Sequence, residues 1–217
     1  MTLRYKRSIV PYSNDNWLQQ GAKNTRTSTH DLRISEHLNF AIKNSVLSLL
    51  CVGTPSLPNG AVDLVYIKSV CKEIGSAIHH KKIYHVICIR STLPSGTTRN
   101  ILIPLIEQHS GKNVGIDFGI CFNPEFLRES SAVDDFFKPT RTVIGKHDER
   151  AASLLTEIYG FINAPIIQTS LEVAEMTKYT ENSWHALKIC FANEIGSLCN
   201  QLGIDSGELI DIFCQDT

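Results

Sequence analysis

The stretch Val46-Leu47-Ser48-Leu49-Leu50-Cys51-Val52-Gly53-Thr54-Pro55 decides the fold class of this chain. It opens as an apolar run and stops at a glycine and a proline, which is typical of a buried strand followed by a loop. Further apolar runs cover Tyr84–Ile89, Ile116–Phe122, Thr142–Gly145 and Pro165–Ile167. Stretches with helical periodicity lie between these runs, and this alternation predicts an α/β fold with a parallel sheet covered on both faces.

Polar loops follow the first three predicted strands. They are Gly53-Thr54-Pro55, Arg90-Ser91-Thr92 and the longer loop Asn123–Ser130. In parallel α/β sheets ligands bind outside the carboxyl ends of the strands, where such loops meet. The sequence therefore predicts a ligand site at this edge of the sheet.

A long helix is predicted from Ser170 to about Leu202, because this span contains no proline and no turn cluster. Lys178, Asn182 and His185 share one face of it, and Asn193 falls near the same line. Ammonium, amide and imidazole groups can polarise or orient an alcohol and its oxyanion. An apolar stripe lies nearly opposite and predicts a separate packing face: Trp184, Leu187, Phe191, Ile195, Leu198 and Leu202.

Composition limits the classes of partner. Lys and Arg total 21 against 22 for Asp and Glu. The chain therefore lacks the excess positive charge that attracts nucleic acids and acidic membranes. No apolar run approaches the roughly 20 residues that span a bilayer, and the first residues do not lead into a signal peptide. We expect a cytoplasmic protein with neither nucleic acid nor membrane as a partner.

The seven cysteines form no Cys-x-x-Cys pair and are odd in number. Most lie inside apolar runs, where cysteine behaves as a small apolar residue. We therefore predict reduced thiols and no metal site. The first 45 or so residues are polar and poorly periodic, and predict at most a short helix around Trp17 and one weak strand.

Four ordered blocks resemble the UDP-glucose/GDP-mannose dehydrogenase family: Cys51–Pro55, Arg90–Thr92, Asn123–Ser130 and Glu175–Asn182. The stretch from Trp184 to Gly196 is most similar to the GDP-mannose branch. The resemblance therefore implies GDP-mannose, rather than UDP-glucose, as the nucleotide sugar. Members of the family oxidise a sugar C6 alcohol to a carboxylate in two hydride transfers to NAD, through a thioester on a catalytic cysteine.

The resemblance also implies a role for individual residues. Thr54 and Thr92 would contact NAD. Glu129 would lie in the sugar and catalytic pocket, and Lys178 would stabilise the oxyanion or help to deprotonate the alcohol. Asn182 would orient the sugar. In the GDP-mannose branch the further substrate contacts would be His185 and Asn193.

The implied domains are an incomplete NAD-binding, Rossmann-like domain over residues 1–168 and the start of an all-α central dimerisation domain over 169–217. The 217 residues contain neither a Gly-x-Gly-x-x-Gly turn nor the family's Gly-Gly-Ser-Cys block. We therefore expect a fragment that lacks both ends of the family pattern, binds NAD poorly and is inactive alone. Without the family's first strands, the Val46 strand would present an unpaired apolar edge.

Two other functions remain open. The chain could be a non-catalytic module that pairs, through the apolar stripe of the long helix, with a second copy or with a full-length relative. It could also be a hydroxyacid-type dehydrogenase that uses the same Lys-x-x-x-Asn helix. The Asn123–Ser130 block disfavours this last alternative.

Overall fold

The computed structural model describes residues 37–128 and 130–216. The helix predicted around Trp17, the weak strand predicted near it and Glu129 lie outside the described residues. The chain divides into two compact units between Met176 and Thr177. Each unit is described by itself below.

The first unit alternates strands and helices. Its elements are α1 (Leu38–Lys43), β1 (Leu47–Leu50), α2 (Val65–Ile78), β2 (His85–Ile89), a π-helical turn (Thr98–Leu102), α3 (Ile103–Ser110), β3 (Phe118–Phe122), α4 (Ala132–Phe137), β4 (Thr142–Lys146), α5 (Glu149–Tyr159) and β5 (Ile166–Ser170). The helix α6 (Leu171–Leu202) begins in this unit and continues into the second, where α7 (Ser206–Phe213) and a 3-10 turn (Cys214–Asp216) follow. The patterns in the sequence predict neither α1 nor α4.

The five strands form one sheet in the order β1-β2-β3-β4-β5. All five residues of β2 and all five of β3 are buried, as continuous apolar runs predict. Helices cover both faces: α2 and α3 pack with residues such as Ile87 and Ile120, whereas α5 packs with Cys88, Cys121 and Ile144. The predicted α/β architecture with a long helix after the sheet is therefore confirmed.

The sheet is not parallel throughout, which corrects the prediction. Strand β4 runs antiparallel to β3, with Cys121 opposite Lys146, while the other three pairings are parallel. A parallel return would need a crossover helix long enough to traverse the sheet. The link between β3 and β4 contains only α4, whose six residues span about 9 Å and include none that is buried. The chain therefore enters β4 from the edge at which β3 ends.

Strand β1 forms an edge of the sheet as the structure describes it, since it pairs with β2 alone in residues 37–128 and 130–216. Val46 just before it is 53% exposed and Leu49 within it is 45% exposed. In residues 37–128 and 130–216, apolar side chains thus line this edge, while the expected loss of the family's first strands stays a prediction.

In the second unit, α7 packs against α6 through Phe213 and Phe191, whose ring centroids lie 5.9 Å apart. Asp205 caps α7 by accepting hydrogen bonds from the backbone N–H groups of Gly207 and Glu208. The predicted packing face of α6 is largely exposed. Exposed fractions of 48% to 63% are found along it at Trp184, Leu187, Phe191, Leu198 and Leu202.

A buried polar cluster lies at the amino end of β2. The ammonium of Lys81 donates to the carbonyls of Ile42 and Ser45 and lies 2.9 Å from Nδ1 of His85. Because Lys81 can only donate, Nδ1 accepts, and the remaining ring N–H of His85 donates to the Ser48 hydroxyl at 2.8 Å. The cluster therefore fastens α1 and β1 to β2, and His85 is held in its neutral form.

This cluster predicts a loss of stability in mild acid. Burial, with the Lys81 charge as a second cause, lowers the pKa of His85 from 6.5 to about 4. In the unfolded chain His85 therefore binds a proton below pH 6.5, whereas in the folded chain it binds one only near pH 4. We expect the free energy of unfolding to fall by up to about 3 kcal/mol as the pH drops through this window. Urea unfolding at a series of pH values measures the fall.

The variant His85→Gln isolates this effect, since it removes the titrating ring. Its stability relative to the unaltered chain should improve steadily as the pH falls from 6.5 to 4. A constant difference between H85Q and the unaltered chain across this range would contradict the assignment.

No helix in the described ranges is both long enough and apolar enough to cross a membrane.

Candidate functional site

The loops after β1 and β2 are joined at the carboxyl edge of the sheet. The Thr54 hydroxyl donates to the Thr92 carbonyl at 2.9 Å, and the buried Ser91 hydroxyl donates to the Val52 carbonyl at 2.6 Å. Thr54 and Thr92 are both partly exposed. The structure therefore brings these two residues together, and their role as NAD contacts stays a prediction.

The same edge offers open backbone and a polar group. A Cβ placed on Gly53 would meet no described atom within 4 Å, so a planar ring or a phosphate can approach this peptide closely. The Thr92 side chain is half-buried beside it. Its hydroxyl can donate and accept hydrogen bonds, as a ribose or carboxamide contact requires.

A buried network ties β2 to β3 directly beneath these loops. Both the Arg90 guanidinium and the Tyr159 hydroxyl donate to Oδ1 of Asn123, the latter at 2.6 Å. Arg90 also donates to the Tyr159 oxygen at 2.5 Å, and Nδ2 of Asn123 donates to the Val143 carbonyl at 2.8 Å. Asn123, which is 2% exposed, therefore holds the ends of β2, β3 and α5 together.

The tyrosine in this network stays neutral. Burial raises the pKa of Tyr159, and the neighbouring Arg90 charge opposes this shift without cancelling it. The hydroxyl therefore retains its proton and acts as the donor to Asn123. Arg90 supplies a half-buried positive charge at the carboxyl end of β2.

The loop after β3 is braced on both sides of Glu129, which itself lies outside the described residues. The Arg128 guanidinium donates to both carboxylate oxygens of Asp135, at 2.7 and 3.1 Å, and the Ser131 hydroxyl donates to the same carboxylate at 3.0 Å. These hydrogen bonds hold the pKa of Asp135 well below its usual range, and the bond from the Arg128 side chain has the largest effect. Arg128 and Ser131 are thus both bonded to Asp135 on α4.

Glu175, the fifth residue of α6, also contacts this edge. Glu175 is fully buried, and its carboxylate accepts hydrogen bonds from the backbone N–H of Gly96 at 2.6 Å and of Thr98 at 2.8 Å. Burial raises the pKa of Glu175, and the bonds from Thr98 and Gly96 oppose this shift. In the sequence Glu175 stands out only as the first residue of the Glu175–Asn182 block.

The remaining predicted site residues lie on α6 in the second unit. Lys178 is buried, with 7% of its surface exposed, and Asn182 follows one helical turn later. Asn182, His185 and Asn193 are exposed. Lys178, Asn182 and His185 therefore share one helix face, as predicted, while their roles toward a substrate stay predictions.

No group of three His, Cys, Asp or Glu side chains within residues 37–128 and 130–216 is arranged to hold a metal ion. The cysteines are free thiols, and burial raises the pKa of Cys71 and of Cys121 to about 12. These two thiols are therefore protonated and unreactive at neutral pH.

Sequence reasoning found the loops but missed the residues that join them. Arg90 and Asn123 each belong to a quoted block, yet no pattern links either of them to Tyr159 on α5. Glu175 stands three residues before Lys178 on a helix, a position at which a carboxylate usually serves a local ion pair. No local pattern in the sequence marks Glu175 as buried.

A largely parallel sheet with helices on both faces and polar loops at its carboxyl edge defines a Rossmann-like protein of the class that binds nucleotide cofactors. The sequence profile of the NAD binding domain of the UDP-glucose/GDP-mannose dehydrogenase family matches residues 13–163, and that of the family's central domain matches 172–217. The chain belongs to the UDP-glucose/GDP-mannose dehydrogenase family.

Individual relatives agree with this assignment. The chain is 49% identical to the GDP-mannose 6-dehydrogenase of Pseudomonas aeruginosa over 97% of its own length and 47% of the relative. It is 37% identical to a UDP-glucose 6-dehydrogenase of Haloferax volcanii, over 78% of this chain and 41% of that one. The chain thus spans about half the length of the curated relatives it matches.

Solved structures give the same result. A crystal structure of a ternary complex of the Pseudomonas aeruginosa GDP-mannose dehydrogenase matches with a TM-score of 0.86 and 49% identity, over 92% of this chain and 45% of that one. A UDP-glucose dehydrogenase from Pyrobaculum islandicum matches with a TM-score of 0.78 and 39% identity, over 82% and 41% of the two chains.

Proposed function

We propose that this chain carries the NAD-facing and sugar-facing residues of an NAD-dependent nucleotide-sugar 6-dehydrogenase that converts GDP-mannose to GDP-mannuronate in two hydride transfers. The observation that carries the proposal is the joined pair of loops at Thr54 and Thr92, at the sheet edge where dinucleotides bind in this class of fold. GDP-mannose is preferred because the chain is 49% identical to a GDP-mannose 6-dehydrogenase and 37% identical to a UDP-glucose enzyme.

In the proposed site Thr54 and Thr92 hold NAD, which accepts hydride when bound. The open backbone at Gly53 and the partly exposed Thr92 hydroxyl fit a polar part of such a cofactor. The chain has no Gly-x-Gly-x-x-Gly turn among its 217 residues to grip a pyrophosphate. We therefore propose that these residues bind NAD weakly by themselves.

The proposed chemistry at the sugar belongs to α6 and to Glu129. The Lys178 ammonium stabilises the negative charge that develops on the sugar oxygen, or helps to deprotonate the C6 alcohol. Asn182 orients the sugar through its amide, and Glu129 acts as a base or orients water. Contacts specific to the GDP-mannose branch are assigned to His185 and Asn193. The proposed domain boundary is at 168/169, and the proposed location is the cytoplasm.

The proposal predicts that Thr92→Val weakens NAD binding about five- to tenfold, because valine keeps the shape of threonine and removes the hydroxyl that would contact the cofactor. Calorimetric titration of the purified chain with NAD measures the affinity. Thr140→Val, at an exposed threonine, is the matched control and should bind like the unaltered chain. Equal affinity in T92V and T140V, or no binding by the unaltered chain, would refute the site.

Sustained turnover is a separate part of the proposal. The seven cysteines include none in a Gly-Ser-Cys context, so these 217 residues offer no nucleophile for the thioester step. We expect no sustained NADH formation from GDP-mannose when only these residues are present. Continuous absorbance of NADH in such a mixture would contradict this expectation.

A second candidate function is favoured by one observation, the exposed apolar stripe of α6. Five large apolar side chains there are each about half exposed or more, and such a patch usually marks a protein interface. The chain would then serve as a non-catalytic module that pairs with a second copy or with a full-length relative. Size-exclusion chromatography of a mixture with such a relative tests this candidate, since co-elution is expected only if the module pairs.

A further inference from the structure

Glu175 is a buried carboxylate that accepts two backbone hydrogen bonds. Removing an ionised carboxylate from water is unfavourable, and the raised pKa of Glu175 reflects this cost. Its two oxygens nevertheless accept from two backbone N–H groups, those of Gly96 and Thr98. An amide side chain could accept only one of these bonds, since its nitrogen would face the second donor. The arrangement therefore requires an acid.

The carboxylate replaces a cap that the loop does not supply itself. The π-helical turn begins at Thr98, and Thr97 before it makes no side-chain cap. The Thr97 hydroxyl donates to the Pro94 carbonyl at 2.6 Å instead. The helix start is thus capped by a residue 77 positions later in the chain, so that α6 and this loop are fastened to each other.

Other contacts of the first turn of α6 lie beside this attachment. The Glu172 carbonyl accepts from the Ser95 hydroxyl at 3.0 Å, and its carboxylate pairs with Arg99. Beneath the helix, a Cβ on Gly145 would lie 2.6 Å from the Ala174 methyl and 3.0 Å from the Ser170 carbonyl. Only glycine at this position of β4 allows the start of α6 to lie so close to the strand.

The segment between these attachments is the one that carries Thr92. At its start, Ser91 and Thr92 are bonded to the loop after β1, and at its end Gly96 and Thr98 are bonded to Glu175. Gly96 adopts a φ of 84°, a left-handed conformation that a side chain would strain. The loop Ser91–Thr97 is therefore held at both ends, and between them Leu93 is buried in the core.

We infer that Glu175 is a positioning residue: its carboxylate fixes the loop Ser91–Thr97 and so sets the placement of Thr92 toward the cofactor. The inference rests on the proposed NAD site. It makes the start of α6 the element that orients the cofactor loop.

The test compares Glu175→Gln with Glu172→Gln, a matched change one helical turn earlier. This control keeps the Glu175 carboxylate and the bond from Ser95 to the Glu172 carbonyl, and it removes a partly exposed ion pair with Arg99. Amide hydrogen exchange, followed by NMR on the nitrogen-15-labelled chain, reports on the Gly96 and Thr98 N–H groups. We expect exchange at these amides to become at least about tenfold faster in E175Q and to change less than about twofold in E172Q. The melting temperature is recorded alongside.

NAD titration supplies the readout that loss of structure alone would not give. At a temperature where both variants are folded, E175Q should bind NAD about tenfold more weakly, and E172Q should bind like the unaltered chain. Glu175→Asp is the second variant, in case E175Q does not fold. It keeps the charge on a shorter side chain, and it should accelerate exchange at one or both of the same amides.

The possible results separate the inference from the proposed function. Unchanged exchange at Gly96 and Thr98 in either Glu175 variant would overturn the inference. Unchanged NAD affinity in a folded variant whose exchange is faster would overturn it as well. If the unaltered chain binds no NAD, the proposed function fails, and the exchange measurement alone then decides whether Glu175 holds the loop.

Discussion

Substitution of Asn123 by alanine is expected to lower the free energy of unfolding by about 2 to 4 kcal/mol. The change removes both the acceptor used by Arg90 and Tyr159 and the donor to the Val143 carbonyl. These groups lie in the interior around a residue that is 2% exposed, where solvent cannot replace the lost partner. Urea unfolding of the purified variant measures the loss.

Two comparison variants make this prediction specific. Tyr159→Phe removes one hydroxyl and leaves Arg90 bonded to Asn123, so a smaller loss of about 1 kcal/mol is expected. Asn163→Ala, at an exposed asparagine, should be within about 0.5 kcal/mol of the unaltered chain. Stability of N123A equal to that of N163A would show that the network does not hold the sheet edge together.

The second large effect is expected on self-association. Aspartate at both Leu187 and Leu198 places two charges in the exposed stripe of α6, where a partner would have to bury them. If the stripe pairs two copies, the double variant should raise the dissociation constant of the dimer about a hundredfold or more. Sedimentation equilibrium over a range of protein concentrations measures the constant.

The control carries the same added charge on another side of the helix. Ser197 and Asn200 are exposed and lie away from the stripe, so aspartate at both positions should leave the dimer intact. The pairing function would be contradicted if the unaltered chain were a monomer at every concentration and did not co-elute with a full-length relative. Equal dissociation constants for the two double variants would place the contact elsewhere.

The sequence predicts those elements whose pattern is strong along the chain. The strands β2 and β3 are buried on both faces, and so they appear as unbroken apolar runs. The helix α6 has neither proline nor a turn cluster and was predicted to within a residue at its start. Because β1 and β2 are parallel neighbours, the loops at their carboxyl ends had to meet, as Thr54 and Thr92 do.

The features that were missed depend on contacts between distant residues. The helices α1 and α4 have six residues each, too few to show a period. The antiparallel pairing of β4 follows from the course of a connection, which periodicity does not record. The exposure of the α6 stripe could not be foreseen either, since a stripe of apolar residues has the same pattern whether it packs or remains open.

The partners of Asn123 and Glu175 were missed for a related reason. Each forms hydrogen bonds to residues at least 20 positions away, and no local spacing encodes such a pair. A buried asparagine and a buried glutamate look in the sequence like a loop residue and a helix surface charge. Only the fold shows that they join the ends of β2, β3 and α6.

The most direct test of the central claim, that the carboxyl edge of this sheet forms a cofactor site, is an NAD titration of the nitrogen-15-labelled chain followed by amide chemical shifts. We predict saturable shifts in the loops Gly53–Pro55 and Ser91–Thr97, with none at Lys81 and His85 near the opposite edge. Shifts confined to the opposite edge, or no saturable shift anywhere in the chain, would contradict the account.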